Sequence, residues 1–219
     1  MKILVAIADF GGRKTVPIVK DCFKDTVFDV KIFSTKDGDF IYEQSIGEDL
    51  PFQHREYFAQ NIDNYDYFVF TENDIFYSED TLKFLFKNFD IYGEHNPIGL
   101  IREESGQLID FAAILNGPKL KKIDNNLFET TNHHQASYFL SKKQLKKCID
   151  SGNYLIKPCA RNGYGKLETG ASNVYFDCGI NKIYPIDKIP LLIVTHLDLK
   201  WKLVQSPYTI NDLYEDLKK

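Results

Sequence analysis

Two carboxylates flank an amide in Glu72-Asn73-Asp74, directly after the run Tyr65-Asp66-Tyr67-Phe68-Val69-Phe70-Thr71. Side chains of this kind present oxygen atoms, the donors that a hard divalent cation prefers. Near the other end of the chain, His196 and Asp198 stand at alternate positions of an apolar run. On a strand they would face the same side. Glu168 follows the glycine-rich stretch Asn162-Gly163-Tyr164-Gly165 and is a candidate proton acceptor, with Asp198 as the alternative. Arg13, after Asp9-Phe10-Gly11-Gly12, and Arg55, in His54-Arg55, are the arginines suited to phosphate.

Each of these residues also has a plainer reading. An acidic triplet is often a solvated turn, a glutamate in the first turn of a helix is favoured by the macrodipole, and an arginine is commonly a surface residue. His133-His134 is a tempting metal pair, but adjacent strand residues point to opposite faces and cannot easily share one ion. One of the two is a candidate to line an acceptor pocket. Cys22, Cys148, Cys159 and Cys178 are far apart, form no CxxC pair, and read as buried free thiols.

The elements that must position these residues can be read from the pattern. Lys2 to Ala8 is a buried strand, Thr15 to Phe23 a helix and Phe28 to Ser34 a second strand, giving a βαβ start. Pro51 opens an amphipathic helix over Phe52 to Asn61, and Tyr65 to Phe70 is an aromatic, β-branched strand. Ser78 then caps a helix over Thr81 to Asn88, with Leu82, Leu85 and Phe86 at helical spacing. Pro97 to Ile101 and Leu108 to Leu115 read as strands of a hairpin around Glu103-Glu104-Ser105-Gly106. Ala136 to Leu140 is a strand, Ser141 caps a helix over Lys142 to Asp150, and Leu167 to Cys178 is a helix. Lys182 to Pro185 and Leu191 to Leu197 are the last strands. The order implies an α/β domain with a largely parallel sheet, an antiparallel part, and helices on both faces. In such open sheets the ligand crevice lies beyond the carboxyl ends of the strands, where Asp9 to Arg13, Ser34-Thr35 and Glu72-Asn73-Asp74 all fall.

With 219 residues, 43% of them hydrophobic and 26% charged, the chain can bury one substantial core as a single domain. A net charge of -4 argues against a general nucleic-acid binder and leaves room for a local basic pocket that takes one nucleotide. The amino-terminal run Ile3 to Ala8 is too short for a signal-peptide core, and no stretch reaches the roughly 18 apolar residues of a membrane span. The expectation is a cytoplasmic protein with at most peripheral membrane contact, through the lysine-rich tail and Trp201.

The βαβ start, the segment holding His54-Arg55, and the strand running into Glu72-Asn73-Asp74 together resemble the nucleotide-binding half of GT-A glycosyltransferases. That family carries a short acidic DxD motif at this place; here glutamate and asparagine replace the more usual aspartates, and the last carboxylate is kept. Leu167-Glu168-Thr169-Gly170-Ala171-Ser172, Asp177-Cys178-Gly179 and Val194-Thr195-His196 extend the resemblance to most of the chain. It implies a GT-A-like fold over 1-219, with a nucleotide-sugar-binding half at 1-100 and an acceptor-side half at 101-219. It further implies a nucleoside diphosphate-sugar donor, UDP- rather than GDP-, a glycan or glycoconjugate acceptor, and manganese or magnesium. Asp74, Glu72 and His196 are the expected metal residues. Ala8, Asp9, Phe10, Arg13, Arg55, Thr71, Glu72 and Asn73 are expected against the donor, and Glu168 or Asp198 is expected as the base. A sugar nucleotidyltransferase, of which Gly11-Gly12-Arg13 is a faint echo, and a catalytically silent carbohydrate- or nucleotide-binding module are the competing classes.

Overall fold

The structure, a computed structural model, describes residues 1–92, 96–111, 120–132, 136–160, 164–198 and 208–218. The chain begins with β1 (Ile3–Asp9), α1 (Val16–Cys22), β2 (Phe28–Ser34) and β3 (Phe40–Ile41). A 3-10 segment (Gln44–Phe52), α2 (His54–Gln60), β4 (Tyr67–Glu72), β5 (Ile75–Phe76) and α3 (Glu79–Tyr92) follow. The later elements are β6 (Ile101–Glu104), β7 (Gln107–Leu108), β8 (Leu120–Lys122), β9 (Leu127–Thr130), β10 (Ser137–Ser141), α4 (Lys142–Asp150) and α5 (Lys166–Asp177). The last are β11 (Ile183–Pro185), α6 (Ile189–Leu192), β12 (Ile193–His196) and α7 (Ile210–Lys218).

The central sheet has the order β10-β4-β1-β2-β3, parallel throughout except for β10, which runs antiparallel to β4. All seven residues of β1 are buried. A continuous apolar run is what a strand covered on both faces requires. Ile3, Val5 and Ile7 join the cluster that includes Val19 of α1, Leu82 and Leu85 of α3, and Leu213 and Leu217 of α7. Leu4, Ala6 and Ala8 point the other way, to Phe58 of α2, Leu145 of α4, and Ala171 and Val174 of α5. Helices therefore cover both faces, as the α/β reading expects.

Two smaller sheets complete the fold, β5-β12-β6-β7 and β11-β9-β8. In the first, β12 is antiparallel to β5 and parallel to β6, so it sits between the acidic turn after β4 and the hairpin β6–β7. The capping signals hold: Ser78 Oγ accepts the Thr81 amide at 3.0 Å. Ser141 and Gln144 form a reciprocal capping box that starts α4 where the sequence places it. Among the described residues, no helix is long and apolar enough to cross a membrane.

Five expectations need adjustment. The strand expected over Pro97 to Ile101 lies instead at Ile101–Glu104, and the one expected from Leu191 starts at Ile193, after the short helix α6. The helix expected from Phe52 begins only at His54, because the chain first makes the 3-10 segment, kinked at Gly47 with φ 52°. The strand expected from Leu108 ends at that residue, and 112–119 lie outside the described residues. The return strand gives way to a side-chain clasp, in which Asp110 accepts the Arg102 amide at 2.7 Å and its Nε and Nη2 at 2.9 and 2.6 Å. Cys148 and Cys178 are buried free thiols, but Cys22 is half-buried and Cys159 exposed.

Candidate functional site

The carboxyl edge of the central sheet is tied together by one buried carboxylate, that of Asp9, which is 1% exposed. The register pairs Asp9 with Ser34 and Ala8 with Glu72, so the ends of β1, β2 and β4 are level. Asp9 Oδ2 accepts the Ser34 hydroxyl at 2.9 Å. Its Oδ1 accepts the Asn73 side-chain amide at 2.7 Å and the Arg13 backbone amide at 3.0 Å. The chain reaches Arg13 through Gly11 and Gly12, at φ 89° and 69°, a conformation that glycine adopts without a Cβ penalty. Asn73 is therefore more than a spacer between two acids. Its amide is the donor that Asp9 requires, and its backbone N–H is bound by the Ala8 carbonyl at 3.1 Å.

On this cradle sits the acidic turn. Asp74 is 5% exposed; its Oδ2 accepts Arg13 Nη1 at 3.1 Å, while Oδ1 is buried with no partner. Glu72 Oε1 is likewise buried and unpartnered. Burial, reinforced by the negative charge of Asp74 and then of Glu168, raises the Glu72 carboxyl to about 8, against the opposing pull of Arg102 and Arg13. Arg13 Nη1 also donates to Asp198 Oδ2 at 3.1 Å, so one guanidinium bridges both aspartates. His196 ends β12, and its Nε2 lies 3.8 Å from Asp74 Oδ2. The strand stops there, so Asp198 reaches the site from the turn beyond it; the Leu197 amide is bound by the Asp74 carbonyl at 2.8 Å.

A cavity of roughly 200 Å³ opens at this edge. Ala8, Phe10, Arg13, Glu72, Asn73 and Asp74 line it, six residues that the sequence places against a donor or metal. The opposite wall, from Gly47 to Pro51 with Leu167, comes from the 3-10 segment and the start of α5. The cavity thus combines the charged groups of Arg13, Glu48, Glu72 and Asp74 with the apolar surfaces of Phe10, Leu50, Pro51 and Leu167. Only the kink-forming Gly47 beside Leu50-Pro51 hinted in the sequence at an irregular wall.

Glu168 occupies the third position of α5, and its Oε2 folds back over Gly165, close enough that a Cβ there would lie 2.6 Å away. Its carboxylate still contributes to the charge felt by Glu72. Arg55 requires correction. It is fully buried, donates to the Tyr154 and Gly170 carbonyls at 3.1 and 2.9 Å, and stacks over the Phe52 and Tyr154 rings. An arginine held in this way ties α5 to α2 and is unavailable to phosphate. Thr71 is also turned inward, where its hydroxyl accepts from Tyr77 at 2.7 Å. Neighbouring His54 is buried against Phe70 and bonded to the Tyr138 hydroxyl, and burial lowers its pKa well below the ordinary value. His133-His134, Asn162-Gly163 and the Trp201 segment 199–203 lie outside the described residues.

The donor set suits a hard cation. Among the described residues no group of three or more His, Cys, Asp or Glu side chains is gathered as a cage. Magnesium and manganese do not need one, since a carboxylate or two with substrate phosphates and waters fills their shells. The two unpartnered oxygens of Glu72 and Asp74 are atoms of that kind. Sequence reasoning missed Glu104, whose Oε2 meets His196 Nδ1 at 2.9 Å, and the Arg102–Asp110 pair behind it.

Neither a protein-family model nor a curated protein matches the sequence. Among solved structures, a glycosyltransferase involved in the glycosylation of the major capsid of PBCV-1 aligns at 10% identity and TM-score 0.39, covering 88% of this chain and 81% of that one. A protein from STIV aligns at 13% identity and TM-score 0.44, over 89% and 81%. TarS of S. aureus aligns at 11% and 0.42, over all of this chain and 38% of that one. Likenesses this distant decide neither the fold nor the activity of the chain.

Proposed function

We propose that the chain is a metal-dependent glycosyltransferase that takes a sugar from a nucleoside diphosphate-sugar, with uridine the first base to test, and passes it to a hydroxyl of a glycan or glycoconjugate. The observation that carries this reading is the pair of buried, unpartnered carboxylate oxygens, Glu72 Oε1 and Asp74 Oδ1, on a cavity that also holds Arg13. Buried acceptors without donors are costly, and one cavity lined by two residues that keep such atoms is suited to a ligand that supplies positive charge. Asp74 is the direct metal residue, Glu72 and His196 its companions; when bound, a divalent cation offsets the charge that gathers on the departing pyrophosphate. Arg13 exchanges its aspartate partners for donor phosphate oxygens, with Ala8, Phe10 and Asn73 forming the adjoining wall.

In an inverting transfer the acceptor oxygen forms a bond to the anomeric carbon as its proton passes to a carboxylate. The bond from that carbon to phosphate oxygen breaks, and its electron pair leaves with the nucleoside diphosphate. Glu168 is the proposed base, with its carboxylate near enough to the acidic turn to be felt by Glu72. Asp198 is the alternative, held at the same place by Arg13. The test is a screen of nucleotide sugars with and without manganese, with a hydroxyl acceptor pool. Free nucleoside diphosphate, formed only with metal, is the expected product. Pyrophosphate would instead mark a nucleotidyltransferase, and no product at all a binding module.

A further inference from the structure

Three neighbouring strands of the second sheet deliver three polar side chains to one line. Asp74 directly precedes β5, His196 ends β12, and Glu104 ends β6. His196 is directly opposite Ile75, and Thr195 is opposite Glu103, so the strand ends are held level by the ladder itself. Glu104 and His196 are 2% and 5% exposed, and their contact is Oε2 to Nδ1 at 2.9 Å. The other ring nitrogen faces Asp74 Oδ2 at 3.8 Å, beyond hydrogen-bond range.

We propose that Glu104 is a positioning residue, which fixes His196 with its proton on Nδ1 and leaves the Nε2 lone pair directed at the acidic turn. The inference rests on the reading of Asp74 and His196 as a metal site, but its first test does not. A carboxylate can only accept, so the nitrogen it touches must carry the hydrogen, and a neutral imidazole then has its free lone pair on the opposite nitrogen. Both groups are nearly shielded from water, which strengthens the bond between them. Any ligand at Nε2 must therefore be one that accepts a lone pair, with the bond from Glu104 orienting the ring. Glutamine of the same size would not enforce this, because its amide satisfies either ring nitrogen state by turning over. The hairpin β6–β7, which otherwise looks like a peripheral ornament, acquires a reason for its tight turn: Ser105 and Gly106, at φ 56° and 84°, bring the chain back directly after Glu104.

The test begins with the wild-type protein free of metal, labelled with 15N at histidine, at a pH where the ring is neutral. Long-range 15N–1H correlation should show His196 with Nδ1 protonated and Nε2 bare. A protonated Nε2 in that spectrum would overturn the proposal without any variant being made. In E104Q the two tautomers should mix, and manganese affinity measured by calorimetry should fall by about 10–100-fold, the usual cost of losing a residue that orients a ligating histidine. Unchanged tautomer and unchanged manganese affinity in a folded E104Q protein would equally sink it. If wild type binds no manganese and still shows the Nδ1–H form, the metal reading fails while the positioning role of Glu104 stands.

Discussion

Asp9 ends β1, Asp74 lies in the turn that follows the neighbouring strand β4, and the two are almost equally buried, at 1% and 5% exposure, yet they are treated in opposite ways. Both oxygens of Asp9 are bound, by Ser34, Asn73 and the Arg13 amide. Asp74 has one oxygen on Arg13 and one on nothing, and Glu72 beside it also keeps a bare oxygen. A buried carboxylate saturated by its own chain holds the fold, and one left short is poised for something that arrives later. The distinction is testable because the two kinds of residue should fail differently when altered.

The largest separation of activity from stability is expected at Glu168. If it is the base, E168Q should lower turnover by roughly 10²–10⁴-fold while donor affinity and thermal stability stay near wild type. Loss of donor affinity together with turnover would make it a donor contact, and near-normal turnover with an inverted product would move the role to Asp198. Asp9 should behave in the reverse manner. D9A leaves the Ser34 hydroxyl, the Asn73 amide and the Arg13 amide without their acceptor, at a cost of about 2–4 kcal/mol. Thermal unfolding should drop by roughly 5–15 °C. A D9A protein as stable as wild type but unable to bind a nucleotide would erase the contrast.

How much of this was legible in the sequence depended on where the controlling contacts lie. The strand Ile3 to Ala8, the aromatic strand before Glu72 and the Ser141 cap are local patterns, and the structure places each within a residue or two of its expected bounds. The convergence of Arg13, Glu72 and Asp74 followed from their common position after strand ends. Arg55 escapes a reading by spacing because a buried arginine held by two carbonyls and two rings has no local signature that separates it from a phosphate contact. The task of Asn73 depends on an aspartate 64 residues away, and that of Glu104 on a histidine 92 residues away. Neither distance is visible to a reading that works by spacing.

Smaller effects sharpen the comparison. The Glu72 carboxyl is raised to about 8, so between its ordinary range and that value the folded chain holds a proton that the unfolded chain has lost. The sign follows: this group's contribution to stability is full below about 4.5 and is lost as pH rises through about 8. E72Q should flatten that fall and raise the melting temperature of the metal-free protein at pH 8–9 by a few degrees, on the order of 1–2 kcal/mol. A melting curve with the same pH dependence in both proteins would assign the slope to another group. The smallest effect, and the one with two signs, is at Arg13. R13Q removes a cation from beside Asp74, so manganese should bind about fivefold more tightly without nucleotide, while a nucleoside diphosphate should bind about tenfold more weakly. Two effects of the same sign would mean that Arg13 only props the loop.

The most direct measurement is calorimetric titration of a nucleoside diphosphate, uridine diphosphate first, into wild type and D74A, each with and without manganese. Wild type should bind the nucleotide with an affinity that manganese strengthens. D74A should keep its circular dichroism and melting behaviour and lose the manganese-dependent part, because the change removes an unsatisfied oxygen and leaves β4 and the Asp9 cradle as they are. Equal manganese-dependent affinity in the two proteins would contradict the account, since it would leave Asp74 outside the site that its unpartnered oxygen is taken to mark.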